Sequence, residues 1–339
     1  MTAILSPCVL KGHARSVSRV VSQLARRTPL LECDELNARV GGRVLLKAEC
    51  LQVTGSFKLR GAWYALSRLP KPLRRAGVLG MSSGNHAQGL AFAARHLGIP
   101  ATLVMPVGAP KVKVDKVRAF GAEVVFFDGP RDDWDSFAQG QAELRGQHYV
   151  HSYDDPNIVL GQATVGVELL AQAKAMRVVP DLLLSPCGGG GLTAGCCLAV
   201  EAFAPGVRVL SVEPAALNDM QRSLRSGRRE ENATSATSIC DALRARRPGQ
   251  ATFEVISRVA AGGLAVDDAD TVAAMSFAAR ALKLVLEPGG AVGLAALLSG
   301  AIELRGRCAA VVLSGGNVEP QLHCDALSGS GGWRPRAAA

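Results

Sequence analysis

Four consecutive glycines, Gly188 to Gly191, follow the apolar run Asp181-Leu182-Leu183-Leu184-Ser185 and precede the small-residue segment that begins Leu192-Thr193-Ala194-Gly195. That order reads as a strand, a loop without side chains, and a helix. A bare loop at a helix N-terminus turns several backbone N–H groups toward one anion, and the helix dipole favours negative charge at that end. A phosphate is the expected guest. Neither the dinucleotide-binding fingerprint nor the P-loop places four glycines side by side, so this loop is of another kind. A flexible turn is the plain alternative.

The chain of 339 residues is long enough for two compact lobes. Hydrophobic residues make up 48% and charged residues 20%, a globular balance; with aromatics at 4%, packing must rest on Ala, Val and Leu. No stretch reaches the roughly 18 uninterrupted apolar residues of a membrane span. The apolar opening Ala3 to Leu10 has no basic residue ahead of it and is broken by Pro7, unlike a secretory leader. Nine cysteines without CxxC or zinc spacing read as free thiols, for which a reducing cytoplasm is the simplest setting. The net charge of +9 concentrates at Arg222 to Arg229 and Arg244 to Arg247, neither carrying interleaved aromatics. A solvated surface is expected there, and neither nucleic acid nor membrane is expected as a partner.

Short apolar runs alternate with helical patterns from about residue 40 to 320, which predicts an α/β architecture with parallel sheets. The strand candidates are Val44 to Leu46, Gly77 to Met81, Ala101 to Met105, Glu123 to Phe127, Asp181 to Ser185, Val207 to Val212 and Ala309 to Leu313. Polar clusters stand at four of their exits: Ser82-Ser83-Gly84-Asn85-His86, Ser185 with the glycines, Glu213, and Ser314-Gly315-Gly316-Asn317. Ligands of open α/β sheets bind beyond the carboxyl ends of strands, so the four clusters are expected to converge on one cleft. The termini are expected to be peripheral, with residues 330–339 a disordered tail.

A second segment, Thr54-Gly55-Ser56-Phe57-Lys58-Leu59-Arg60-Gly61, sets a lysine behind a Gly-Ser-Phe bend. Most lysines are solvated. One facing a phosphate pocket can instead form an imine with a phosphate-bearing aldehyde, and pyridoxal phosphate is that molecule.

Ser56-Phe57-Lys58-Leu59-Arg60-Gly61, Ser82 to His86, the tetraglycine loop and Ser314 to Asn317 together resemble the fold-type II pyridoxal-phosphate enzymes, specifically the serine/threonine dehydratases and serine racemases. The resemblance runs from about Arg26 to Asn317. It implies a tryptophan synthase β-like fold of two lobes, each with a mostly parallel twisted sheet flanked by helices. Residues 1–76 and 155–329 would form the large cofactor-binding domain, and 77–154 a small mobile one.

By the same resemblance, Lys58 is the Schiff-base residue and base at the substrate α-carbon. Phe57 packs on the cofactor ring, Asn85 meets its phenolic oxygen, Ser314 its pyridine nitrogen, and Gly188, Gly189, Gly190, Gly191 and Leu192 its phosphate. Ser82, Ser83, Gly84, Asn85 and His86 hold the substrate carboxylate. Ser314 can only hydrogen-bond a largely neutral ring nitrogen, which suits loss of a β-substituent rather than transamination. The implied reaction is dehydration of a 3-hydroxy-L-amino acid, threonine or serine by default. It ends in an aminoacrylate that hydrolyses to a 2-oxo acid and ammonia.

Ser83 raises the alternative of a serine or aspartate racemase, because inversion needs acid/base groups on opposite faces. Glu213, the carbonyl of Leu217 and Asp219 match the family's Mg²⁺ or Ca²⁺ ligands, and hard oxygen donors suit such cations. Glu287 offers either a carboxylate near the cofactor or a helix cap, and Asp154-Asp155-Pro156 a hinge between lobes or a turn. Cys240-Asp241-Ala242 replaces the usual Ala-Asp-Gly, and Trp134 stands near a position where some racemases carry a substrate-contacting arginine. Both departures leave room for 3-hydroxyaspartate or phenylserine as substrate. A homodimer is implied, and the length implies a short enzyme without the regulatory domain of many biosynthetic threonine dehydratases.

Overall fold

The computed structural model describes residues 5–82, 84–130 and 133–328, so Ser83 and the tail 330–339 lie outside the described residues. Its strands are β1 (Leu30–Glu32), β2 (Arg43–Ala48), β3 (Val78–Met81), β4 (Ala101–Pro106) and β5 (Glu123–Phe127). There follow β6 (His148–Tyr149), β7 (Leu182–Pro186), β8 (Arg208–Pro214), β9 (Gly262–Val266) and β10 (Cys308–Leu313). They form a six-stranded sheet ordered β1-β2-β10-β7-β8-β9 and a four-stranded sheet ordered β5-β4-β3-β6. Every pairing is parallel except β1 with β2.

The apolar runs explain the layering. Leu45, Leu183, Ala310 and Val312 face one core, whereas Val44, Leu46, Leu182, Leu184, Val311 and Leu313 face a second. Period-two alternation with both sets buried is the mark of a parallel sheet covered by helices on both faces. In the smaller sheet Val78, Leu103 and Met105 join the first of these cores. Leu79, Met81 and Val104 pack instead with Ala138 and Ala142 of the helix Trp134–Arg145.

Three strands escaped the sequence reading, and each has a reason. β1 and β6 have three and two residues, too few to show a period. β9 opens on Gly262 and Gly263, which read as a turn. The N-terminal segment also corrects an expectation. Its helix, Pro7–Val21, buries Leu10, Ala14, Val17 and Val21 in the first core, and Trp63 Nε1 donates to the Val20 carbonyl at 2.6 Å. It is a structural layer, not a peripheral one.

Close helix packing sets the site. A β-carbon on Gly161 would stand 2.7 Å from Gly61 Cα, and one on Gly195 would stand 2.7 Å from the Ala163 nitrogen. The helix Pro156–Ala175 therefore lies backbone to backbone against both Lys58–Arg68 and Gly191–Phe203. Electrostatics fixes the first contact. Arg60, fully buried, donates to both oxygens of Glu49 and both of Glu168, each at 2.8 Å. Lys47 donates to Glu168, Gln172 and the Thr28 carbonyl at 2.8 Å. Burial alone would raise the Glu49 carboxyl; Arg60 outweighs it and holds the group below its ordinary range.

Breaking a buried charge pair is costlier than never building it, because the partner is left unpaired. Arg60→Ala is expected to lower unfolding stability by about 3–5 kcal/mol, read from the urea midpoint. Arg60→Met combined with Glu49→Gln should lose less, and a loss below about 1 kcal/mol in the single variant would contradict this account.

Candidate active site

The segment that carries Lys58 is stitched to the end of β10. After β2 the chain turns at Gly55 (φ +75°), and Ser56 bridges Gly315. The Gly316 N–H donates to the Gly55 carbonyl at 2.8 Å, and the Phe57 N–H to the Ser314 carbonyl at 3.1 Å. Lys58 then opens its helix. Its Nζ lies 5.3 Å from the Phe57 ring centroid and donates to the Ser152 carbonyl at 3.0 Å. Enclosure pulls the Lys58 ammonium down to about 8, against the opposing charge of Glu287.

The glycine loop lies one residue along from that contact. Tyr153, next to Ser152, covers Gly189 so closely that a β-carbon there would stand 2.3 Å from its ring. Gly190 adopts φ +97°, a conformation open to glycine, and caps the helix Gly191–Phe203. The Gly189 carbonyl accepts from Thr252 Oγ1 at 2.7 Å and from the Gly249 N–H at 3.1 Å. No hydrogen bond among the described residues uses the N–H groups of Gly188, Gly189, Gly190 or Gly191. Unused donors at a helix start, in a cradle that β-carbons would fill, fit a phosphate. Leu192 buries its side chain in the first core, so only its backbone is left to meet an anion.

Asn85, Glu287, Asn317 and Ser314 close the opposite wall. Asn85 Nδ2 donates to Glu287, and its Oδ1 accepts from Asn317 Nδ2 at 2.8 Å. Glu287 occupies the cap position of the helix Pro288–Leu298, yet its carboxylate makes no capping bond and faces this wall instead. Burial pushes it up to about 7, with Lys113 opposing, and its Oε2 has no partner among the described residues. Ser314 Oγ makes only a long 3.5 Å contact to the Gly289 carbonyl, beside which lies the methyl of Ala242. His86 is buried with no hydrogen-bond partner for either ring nitrogen among the described residues, and burial followed by Lys58 lowers it to about 3. Ser82 Oγ accepts from the Gly84 N–H at 3.1 Å.

Elsewhere the expectations divide. Glu213 and Asp219 are both fully buried, and burial followed by the Asp219 charge drives Glu213 well up. Glu213 accepts from the Met220 and Gln221 N–H groups at 2.8 and 2.7 Å, and Asp219 from Asn232 at 2.6 Å. Leu217 lies in the turn between them. Among the described residues no group of three or more His, Cys, Asp or Glu could hold a metal ion, so a cation here would depend on the Leu217 carbonyl. Asp155 caps its own helix, while Asp154 accepts from the Gln250 and Ala251 N–H groups at 2.9 Å and so fixes the helix that grips Gly189. Trp134 packs half-buried beside β3.

The sequence reading missed Lys113, Tyr153 and Thr252. Lys113 ion-pairs with Asp241, yet sits in a run of alternating lysines and valines that reads as a solvated helix face. Tyr153 and Thr252 carry no local signal at all.

The family described as pyridoxal-phosphate dependent enzyme matches residues 21–315. The L-threo-3-hydroxyaspartate ammonia-lyase of a Pseudomonas species is 42% identical over 305 residues, covering 90% of this chain and 94% of that protein. The serine racemase of Schizosaccharomyces pombe is 36% identical, covering 92% and 95%. The crystal structure of T.th. threonine deaminase superposes with a TM-score of 0.85 at 41% identity, covering 90% of this chain and 97% of that one. A lysine enclosed beside a glycine cradle, within a fold shared this fully, makes the chain a member of the pyridoxal-phosphate-dependent enzymes of fold-type II.

Proposed function

We propose that the protein is an ammonia-lyase that removes water from a 3-hydroxy-L-amino acid and releases a 2-oxo acid and ammonia. The observation that carries this reading is the enclosed Lys58 amine, held one residue along from a loop of unused backbone donors. The resemblance to ammonia-lyases of threonine and 3-hydroxyaspartate supports the same reaction type.

The residues divide the work. Gly188 to Gly191 and the Leu192 backbone would hold the phosphate, Phe57 and Asn85 would position the ring, and the Ser314 hydroxyl would serve its nitrogen. Bound there, pyridoxal phosphate supplies an electron sink that acidifies the substrate's α-proton. Lys58, poised near neutrality, takes that proton as a general base. A hydroxyl at 314 cannot hold the ring nitrogen protonated as a carboxylate would, which favours expelling a β-hydroxyl. Ser82 to His86 hold the substrate carboxylate, with His86 neutral and so adding no charge to the site. Lys113, Lys116 and Asn85 of the region 77–154 meet Asp241, Asn317 and Glu287 across the cleft, the contacts that closure of a small mobile lobe over substrate would make. Glu213, the Leu217 carbonyl and Asp219 would be the oxygen donors for Mg²⁺ or Ca²⁺, with Glu213 giving up its backbone partners to bind it. Nine free cysteines are in keeping with a reducing, cytoplasmic setting. No helix among the described residues is long and apolar enough to cross a membrane.

A panel of serine, threonine, 3-hydroxyaspartate and phenylserine, assayed for 2-oxo acid, tests the reaction. Release from at least one is expected, with Lys58→Ala reducing it by at least about 10³-fold. Accumulation of the opposite enantiomer without 2-oxo acid would make the enzyme a racemase and contradict the proposal.

The lowered Lys58 also gives a pH profile. Only the free amine attacks an aldehyde, so cofactor attachment to the apo protein should slow about tenfold per pH unit below a midpoint of about 8 and level off above it. Stopped-flow absorbance reads this, and a midpoint near the ordinary lysine value of 10.5 would contradict the enclosure described.

A further inference from the structure

Lys113 reaches Asp241 across the cleft, yet the chemical steps of that reaction give its buried charge no task. It lies in the first turn of the helix Lys111–Ala119 and is 4% exposed. Its stem crosses Gly84, where a β-carbon would stand 2.7 Å from Lys113 Cδ and 3.3 Å from Nζ. The ammonium therefore hangs beside the loop Ser82 to His86. Among the described residues its hydrogen-bond partner is Asp241, which leaves two of its three N–H donors for another acceptor. Burial works against this charge, but Asp241 and Glu287 outweigh it, and the group stays above its ordinary range.

Two costs show that the placement is not incidental. A cation in the first turn opposes the helix dipole, since that end favours anions. Burying an ammonium costs free energy unless every donor is compensated, and a simple tie between two segments is made as well by a solvated pair. Asp241 offsets part of these costs, and a second anion beside the two donors left over would offset the rest, because helix end and ammonium attract the same charge. The α-carboxylate that every amino acid carries is provided for by the loop Ser82 to His86.

We propose that Lys113 reads a second carboxylate, on the substrate side chain, and selects a 3-hydroxy dicarboxylic amino acid such as 3-hydroxyaspartate over serine and threonine. The inference rests on the ammonia-lyase reading and narrows its substrate. Asp241 is the positioning residue: it fixes the ammonium from the far side and leaves the near side to the ligand.

The test compares kcat/KM for L-threo-3-hydroxyaspartate with that for L-serine. Wild type should prefer the dicarboxylate, and Lys113→Met should cut the ratio by at least about 30-fold, with Lys113→Arg retaining most of it. A binding readout runs beside it on the holoenzyme: succinate should raise the Tm of wild type but not of Lys113→Met, and propionate should raise neither. A ratio unchanged within about three-fold overturns the inference, including the case where both rates fall together because Lys113 serves the α-carboxylate or ties the cleft shut. Wild-type turnover of serine or threonine without 3-hydroxyaspartate also overturns it, while leaving the ammonia-lyase reading intact. Turnover of none of them removes that reading, and the succinate shift then decides the role of Lys113 alone.

Discussion

The short seam between residues 55–57 and 314–316 is the constraint on which the cleft depends. Two backbone hydrogen bonds and one bridge fasten the approach to Lys58 onto the exit of β10. Without them the lysine would ride on a free loop. With them, the amine's position follows from the sheet, and Ser314 necessarily stands beside it. Arg60, two residues further on, anchors the same helix between the buried Glu49 and half-buried Glu168 carboxylates. The seam fixes where the helix starts, and the ion cluster fixes where it points.

One cleft also sets two lysines to opposite chemistry. Lys58 has a carbonyl for a partner and a distant carboxylate, so enclosure wins and its proton is loosened. Lys113 has Asp241 in direct contact and keeps its charge in spite of similar enclosure. Environment, not residue type, separates a nucleophile and base from a fixed cation. Glu287 belongs to the same balance: enclosed between them and bound by Asn85, it rises toward neutrality and spares the cleft a second full negative charge.

Much of this was legible in the chain. Strand exits announce themselves because a parallel strand buried on both faces is an unbroken apolar run, and the polar residue that ends it stands out. Gly188 to Gly191, Asn85 and Ser314 stood out that way, and Lys58 by the bend ahead of it; in the fold the Phe57 N–H rests on the Ser314 carbonyl, and Ser152, the partner of Lys58, adjoins the Tyr153 ring over Gly189. What stayed hidden depends on distance in sequence. Thr252 grips Gly189 across 63 positions, and Asp154 reaches 96 positions to cap the helix carrying Thr252. Lys113 was disguised by its neighbours, since a lysine among lysines on a short helix reads as surface. β9 was lost to its glycines and β6 to its brevity. Local pattern reports which faces are buried, but pairwise chemistry between remote segments has no local signature.

The claim at the centre is that the Lys58 side chain, and no other, carries the cofactor. Borohydride reduction of the reconstituted protein, followed by peptide mapping, tests it most directly. The account predicts the cofactor-derived mass on the peptide that contains residue 58. The same mass on the peptide that contains Lys113, or on no peptide of a fully reconstituted sample, would contradict it.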